Sequence, residues 1–598
     1  MKLRRTLLVA GVMLFLGACS TPPKRPLDVT RHNLETVKAY AAALIRHEMA
    51  KNEIAAMSIA LVDDQRVVWA EGFGYADKES GRPATAATIY RVGSISKLFA
   101  ATAAMQLVEQ HKIDLDRPLH DVLPEFSIRS AFAESSPISP RQLMTHHAGL
   151  PRDFSKGMFA QHPEPFTELV HHVRDLDAAY PPNHVFSYSN IGVTLLGHAI
   201  QNVTGVPFAE HLQHSLFEPL DMRTAAFASG LSASDLMAKP YRAGKLAEEP
   251  SLRDLPAGGL NASVLDLSRF LSMVFAGGRV STRQALRPES IQEMLLPQNT
   301  DVELDFNFHN GLGWMLSALS PRTIQNAGIV AHHAGATIHY RAQLYALPEH
   351  KLGVVVLANS ASAQRSVDRV ALDTLALALE AKTGIKQPNP EPTQTAEAPW
   401  RAETLQAYVG QYTSQFGYMR VYLDGSTLRA QAFGRTFKLV PRGDGRLGLE
   451  YRLLGLLPID LGELNAIGVS LRHVAGRDVL VATVGAQDML LGERVRPGGS
   501  APAWHARVGR YEIVNAANEL TLVQRIALTE EDGVFIAEIQ DTMLGSAVHR
   551  LVLQPISDSA ARILGPLGDG GSMIRCQAAS PGGEHCETSG YVLRRTAE

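Results

Sequence analysis

The sequence predicts an α+β domain followed by two all-β domains. Three observations predict it. From about Asn33 to Lys386, strand-like pairs stand at both ends and apolar helical runs lie between them, the pattern of one sheet completed by both ends of a domain. A Pro-rich stretch, KQPNPEPTQTAEAP (Lys386 to Pro399), then interrupts the chain without any apolar period. Beyond it come only short alternating segments punctuated by Gly-containing turns, such as MRVYLDGSTLRAQA and FKLVPRGDGRLGLEY.

Each part follows in chain order. The start, MKLRRTLLVAGVMLFLGACS, has a basic head and an apolar run that is shorter than the ~20 residues of a spanning helix. Residues 1–18 read as a signal peptide. Leu16-Gly17-Ala18-Cys19 resembles the lipobox of bacterial lipoproteins, which implies a lipidated Cys19 and a protein anchored to a membrane without spanning it. Ser20 after it implies outer-membrane sorting, hence a periplasmic lipoprotein. Residues 19–32 form the tether, 33–385 the α+β domain and 386–400 the linker.

In the α+β domain, Met57 to Asp77 reads as two strands around a turn at Asp63-Asp64. Tyr340 to Ser360 reads as a second pair, and VDRVALDTLALALEAK as a closing helix. The β part divides into 401–496 and 504–598, joined through RPGGSAPA. YVGQY (Tyr408 to Tyr412) corresponds to RVGRY (Arg507 to Tyr511), and Phe437 to Leu447 loosely to His549 to Leu564. A period of about 100 residues is too long for a solenoid unit, so two sister domains are expected, each closed as a barrel or folded as a sandwich. Cys576 and Cys586, ten residues apart, are expected to bridge in an oxidising compartment, and their spacing suits no common zinc pattern.

Composition sets outer limits. With 598 residues, 45% hydrophobic and 20% charged, the chain has ample material for a core. The net charge of -3 gives no nucleic-acid footprint.

Three short stretches carry candidate chemistry. RVGSISKLFAATAAMQ places Ser94 and Lys97 three residues apart, at what reads as the first turn of an apolar helix. Ser94 is either a cap with a solvated lysine nearby or a nucleophile beside its base. Residues i and i+3 share a helix face, so the hydroxyl and amine can meet, and burial of Lys97 would favour its neutral form. Tyr188-Ser189-Asn190 stands before a second apolar helix, either as a capping turn or with Tyr188 directed at Ser94 as proton shuttle and Asn190 on substrate. His333-Ala334-Gly335 precedes a strand; there a small residue and a glycine would let substrate lie along the edge.

Together, in this order, the three resemble the serine β-lactamase and penicillin-binding family, and most closely its class C β-lactamase-like branch. KIDLDRPLHDVLPEF, QLMTHHAGLP and LPAGGLNASVLDLSRFL are further family-like blocks. The resemblance covers roughly Asn33 to Lys382. It implies a β-lactamase/DD-peptidase-like domain with an antiparallel sheet flanked by helices. It implies an acyl-enzyme on Ser94, with Lys97 and Tyr188 acting jointly as general base. The backbone N–H groups of Ser94 and Ala336 would hold the oxyanion, and Asn190, His333 and Gly335 would contact substrate.

The three-domain layout resembles D-aminopeptidases of this family, whose C-terminal domains are lipocalin-like eight-stranded barrels, one of which can approach the site. One departure matters. Where the lactamase branch often has Lys-Thr-Gly, this chain has His333-Ala334-Gly335, so the fixed positive charge near a substrate carboxylate is lost. The leading expectation is therefore hydrolysis of D-amino-acid peptides or amides. A short-acyl esterase, a weak β-lactamase or a non-catalytic penicillin-binding sensor are the alternatives. The expected partner is a small-molecule or peptide substrate, with the membrane met only through the lipid anchor; the oligomeric state is not read from sequence. No cofactor and no metal is expected, because the pairs His146-His147, His171-His172 and His332-His333 are adjacent residues whose side chains point apart.

Overall fold

The structure is a computed structural model that describes residues 21–132, 135–317, 324–387, 396–414, 417–453, 457–459, 462–496, 502–541, 548–565, 570–579 and 583–596. Cys19 and the signal segment lie outside the described residues, as do the middle of the Pro-rich linker and part of Arg496 to Ala503. Among the described residues no helix is long and apolar enough to cross a membrane.

The first domain is built on one antiparallel sheet. Its strands are β1 (Ala56–Asp63), β2 (Arg66–Asp77), β3 (Arg82–Pro83), β4 (Ala331–Ala336), β5 (Arg341–Leu347) and β6 (Leu352–Ala358), in the order β4-β5-β6-β1-β2-β3. Both ends of the domain thus meet at the centre, where β1 pairs with β6 from Met57↔Ala358 to Asp63↔Leu352. The sheet is buried on both faces, as the apolar run MSIALV demands. Helices α1 (Glu35–Lys51) and a late helix (Gln364–Thr383) cover one face through Leu44, Ile45, Val367 and Leu375. The other face packs on α2 (Ser96–Glu109) and on helices Asn190–Thr204 and Val264–Phe275. In α2 every residue from Ser96 to Leu107 is buried, so it is a central helix with no solvent face.

Two closed eight-stranded antiparallel barrels follow. The first contains β7 (Gly410–Ser414), β8 (Gly417–Asp424), β9 (Thr427–Ala432), β10 (Arg435–Pro441), β11 (Leu447–Leu453), β12 (Gly468–Val474), β13 (Arg477–Val484) and β14 (Gln487–Arg494). It closes where β7 meets β14 and β10 meets β11. The second contains β15 (Gly509–Ile513), β16 (Val523–Glu531), β17 (Val534–Asp541), β18 (Val548–Ser557), β19 (Ala560–Leu564), β20 (Met573–Ala579), β21 (Gly583–Thr588) and β22 (Tyr591–Arg595). Cys576 on β20 and Cys586 on β21 face each other in register and are disulfide-bonded.

The internal repeat has a physical counterpart. Tyr412 Oη donates to the carbonyl of Tyr408 at 2.8 Å, and Tyr511 Oη to that of Arg507 at 2.7 Å. Arg494, at the end of the first barrel's last strand, donates to the carbonyls of Val409 and Ala407. Arg595, at the end of the second's, donates to those of Val508 and Ala506. Each barrel is latched by an arginine of its last strand on the chain entering its first.

Candidate active site

Ser94 sits in a 3-10 turn, Gly93–Ile95, immediately before α2. It is not the helix cap that its spacing suggests: Ile95 occupies that place, with no side-chain cap bond. Ser96 does the local tying instead, donating to the Gly93 carbonyl at 2.6 Å and accepting the Leu260 N–H at 3.0 Å. From Thr88 to Leu107, Ser94 alone is not buried.

Two glycines set the position of that turn. Gly93 has φ +54°, and a Cβ there would come within 2.7 Å of the Ala336 nitrogen. A Cβ on Gly335 would come within 1.9 Å of the Val92 carbonyl oxygen. The glycine of the third motif therefore admits the turn that carries Ser94 against β4. The result is that the backbones of Ser94 and Ala336 adjoin one pocket.

Lys97 is 2% exposed. Its Nζ donates to Ser94 Oγ at 3.1 Å, Asn190 Oδ1 at 2.8 Å and the Ala257 carbonyl at 2.7 Å. Those three acceptors match its three donors. Asn190 is free for this because Ser189, not Asn190, caps the helix Asn190–Thr204, accepting the Gly192 N–H at 3.0 Å. Asn190 Nδ2 in turn donates to Asp153 Oδ1 at 2.7 Å.

Tyr188 adjoins this group through its ring. Lys97 Nζ lies 4.9 Å from the ring centroid, and the His146 imidazole 4.2 Å away at a 32° tilt. Its hydroxyl makes no hydrogen bond to Ser94 or Lys97 among the described residues. His146 was not legible as a site residue. Its Nδ1 accepts the Ser189 N–H at 3.1 Å, which places its proton on Nε2, and burial and then Lys97 hold its pKa well below the ordinary value. Its neighbour His147 turns away, to Asp305 at 2.7 Å.

His333 is 2% exposed, with Nδ1 against the Ala334 carbonyl at 2.7 Å. Burial first, then the Lys97 charge, push its pKa down to about 3. The buried ring is therefore neutral near pH 7. His332 diverges from it, donating to the Ser317 carbonyl and stacking on Tyr345.

A pocket of about 90 Å³ opens beside Ser94, lined among others by Asn190, Ala336, Thr337, Met158 and Phe159. Of the expected site residues, Ser94, Asn190 and Ala336 line it, while Lys97, Tyr188 and His333 cluster behind it. The second barrel reaches this wall. Ser589, in the turn before β22, accepts the Ser155 N–H at 2.8 Å and donates to the Asp153 carbonyl at 3.1 Å. Glu519, 3% exposed at its side chain, binds Lys156 Nζ at 3.0 Å and the Gly157 N–H. Sequence gives no signal for either contact, because each joins loops more than 360 residues apart.

Residues 41–378 match the family model described as Beta-lactamase. The chain belongs to the beta-lactamase family. It is a member of the serine β-lactamase and penicillin-binding-protein-like hydrolases, and Ser94, Lys97 and Asn190 meet within the matched span. Among family relatives, Protein flp of Staphylococcus aureus (strain NCTC 8325 / PS 47) is 23% identical over 326 residues, 53% of this chain and 62% of that protein. The chain thus spans less than two thirds of that relative's length. Putative beta-lactamase-like 1 of Homo sapiens is 27% identical over 391 residues, covering 63% of this chain and 74% of that one. Among solved structures, the octameric penicillin-binding protein homologue from Pyrococcus abyssi superposes with a TM-score of 0.51 at 25% identity, over 76% of this chain and 98% of its own.

Proposed function

We propose that the protein forms an acyl-enzyme on Ser94 and hydrolyses small D-amino-acid amides or peptides. The single observation that carries this reading is the hydrogen bond from the buried Lys97 Nζ to Ser94 Oγ, at 3.1 Å. Lys97 and Tyr188 act jointly as general base and take the Ser94 proton as Oγ attacks the substrate carbonyl. Tyr188, whose ring adjoins Lys97, shares the proton and returns it to the leaving amine. The backbone N–H groups of Ser94 and Ala336 hold the oxyanion. Water then resolves the ester, and the proton it loses restores Ser94.

The neutral His333 supports substrates without a carboxylate at that place, and so counts against efficient turnover of β-lactams. The small pocket favours short acyl groups, which keeps a short-acyl esterase as the second reading. We place the protein, on its lipobox-like Cys19, as a lipoprotein of the periplasm anchored to the outer membrane.

The test is intact-mass measurement after incubation with a fluorophosphonate and, separately, a penicillin. The expected result is a single adduct from the fluorophosphonate, lost in Ser94→Ala. No adduct from either reagent would establish a binding protein in place of an enzyme. D-amino-acid amides, short acyl esters and a chromogenic cephalosporin then separate the substrate classes.

A further inference from the structure

A second cavity, of about 360 Å³, lies where the three domains meet and shares no residue with the pocket beside Ser94. Residues 179–181 of the catalytic domain form one wall, 475–478 and 493–496 of the first barrel another, and 562–565 of the second barrel a third. The walls are tied to one another at their edges. Tyr180 Oη donates to the Gly565 carbonyl, and Thr413 Oγ1 to that of Leu564 at 2.7 Å. A cavity of this volume falls in the range of about 300–1,000 Å³ that takes a small organic molecule.

Its lining is cationic. Arg477, Arg494, Arg496 and Arg562 are set against Asp478 and Glu493, a formal excess of two positive charges. Two of the arginines are spent within the protein. Arg477 binds both oxygens of Glu493, at 3.0 and 2.7 Å. Arg494 bonds the Tyr412 hydroxyl and the carbonyls of Val409 and Ala407, with Asp478 at 3.6 Å. The other two carry the excess. Arg496 is exposed and donates to the Gly476 carbonyl at 3.3 Å. Arg562 makes no hydrogen bond or ion pair among the described residues, and its Nε is buried without an acceptor. Its guanidinium lies 5.4 Å from the centroid of the Phe132 ring, which also lines the cavity. Stacking of that kind fixes the guanidinium plane and leaves its edge for in-plane acceptors. A buried donor without an acceptor is costly, and a ligand oxygen that accepts from it recovers that cost. Carboxylate and phosphate oxygens match the fork of an arginine and bring the missing negative charge.

We propose that this cavity binds a small dianion, a dicarboxylate or a phosphate compound, which bridges the three domains. Arg562 of the second barrel and Arg496 of the first hold its oxygens, and its body rests against Phe132 and Tyr180 of the catalytic domain. The ligand recognises only the assembled chain, because no single domain supplies the lining. Its binding therefore stabilises the docked arrangement of the barrels.

The test uses the full chain at constant ionic strength, with succinate and inorganic phosphate as probes and succinamide as the neutral control. The expected result is saturable binding of at least one anion by calorimetry, with Tm rising as its concentration rises, and none with succinamide. Succinate alone marks a dicarboxylate site, phosphate alone a phosphate site, and binding of both the oxyanion that they share. Arg562→Gln and, separately, Arg496→Gln should each weaken binding by about tenfold or more. Arg496 is exposed, so its variant serves should Arg562→Gln fail to fold. Bound anion should slow amide hydrogen exchange together at residues 179–181, 475–478 and 562–565. No saturable binding of either anion, equal binding of succinamide, or wild-type affinity in both variants overturns the site. Exchange slowed in one domain alone overturns the bridge.

Discussion

Asn190 ties Lys97 to Asp153: its Oδ1 accepts Lys97 Nζ at 2.8 Å and its Nδ2 donates to Asp153 Oδ1 at 2.7 Å. The proposed base is thus aimed by an amide that is itself held by a carboxylate. Asn190→Ala removes one of three acceptors from a buried amine and frees its rotamer. The expected outcome is a fall in the fluorophosphonate labelling rate of about 10–100-fold, since small misplacements of a catalytic group cost that much. Asp153→Asn, which can still accept from Asn190, should lose less than Asp153→Ala.

Gly335→Ala should abolish labelling while leaving a folded protein. The added methyl would lie 1.9 Å from the Val92 carbonyl oxygen, so the turn bearing Ser94 must move away from β4. We expect at least an about 100-fold loss in rate with an unchanged far-ultraviolet circular dichroism spectrum. A rate within threefold of the wild type would show that the turn does not depend on this contact.

Glu519→Ala tests the hold of the second barrel on the pocket wall. The loss leaves the Gly157 N–H without its acceptor and Lys156 without its partner. Residues 153–160 then loosen where they carry Asp153, Met158 and Phe159. We expect KM for small amides to rise by about tenfold with a smaller change in kcat, and bulkier substrates to gain relative to small ones. A variant lacking everything after Lys386 should show the same widening, and unchanged kinetics on every substrate would refute a gating role.

Acid sensitivity follows from His333. Its folded pKa, about 3, lies below the ordinary 6.5, so between those values the unfolded chain binds a proton that the folded chain excludes. The stabilising contribution is complete above pH 6.5 and is lost as pH falls toward 3, at a slope of up to ~1.4 kcal/mol per pH unit. His146 and His332, also lowered by burial, add in the same direction. Urea titrations at pH 7, 6 and 5 should show falling stability, and His333→Asn should flatten that trend. An equal slope in wild type and variant would show that His333 titrates normally.

The reach of the sequence differed from element to element. The meeting of Ser94 with Lys97 followed from an i,i+3 spacing, and Ser189-Asn190 from a helix start. Those are local relations, and local relations survive in a string of letters. The 3-10 turn before α2 did not, because it is imposed by the contact of Gly93 and Gly335 with segments about 240 residues away. His146 was hidden inside a histidine pair that read as an ineffective chelate. Asp153 and Glu519 lie in irregular segments with no period to mark them. The β segments after the linker were plain from their alternation, which alone leaves barrel and sandwich open; the resemblance to D-aminopeptidases pointed to the barrels that the structure has. Closure rests on pairings such as Tyr412↔Arg494 that no local pattern encodes.

The arginine latches described above have a temporal consequence. Arg595 secures the last strand of the second barrel, and Ser589, just ahead of that strand, holds the carbonyl of Asp153, whose side chain in turn holds Asn190. During synthesis the serine emerges some five hundred residues before its support. On the proposed mechanism, a chain clipped near its end would carry Ser94, Lys97 and Tyr188 but lack the Ser589 support of the loop that holds Asp153.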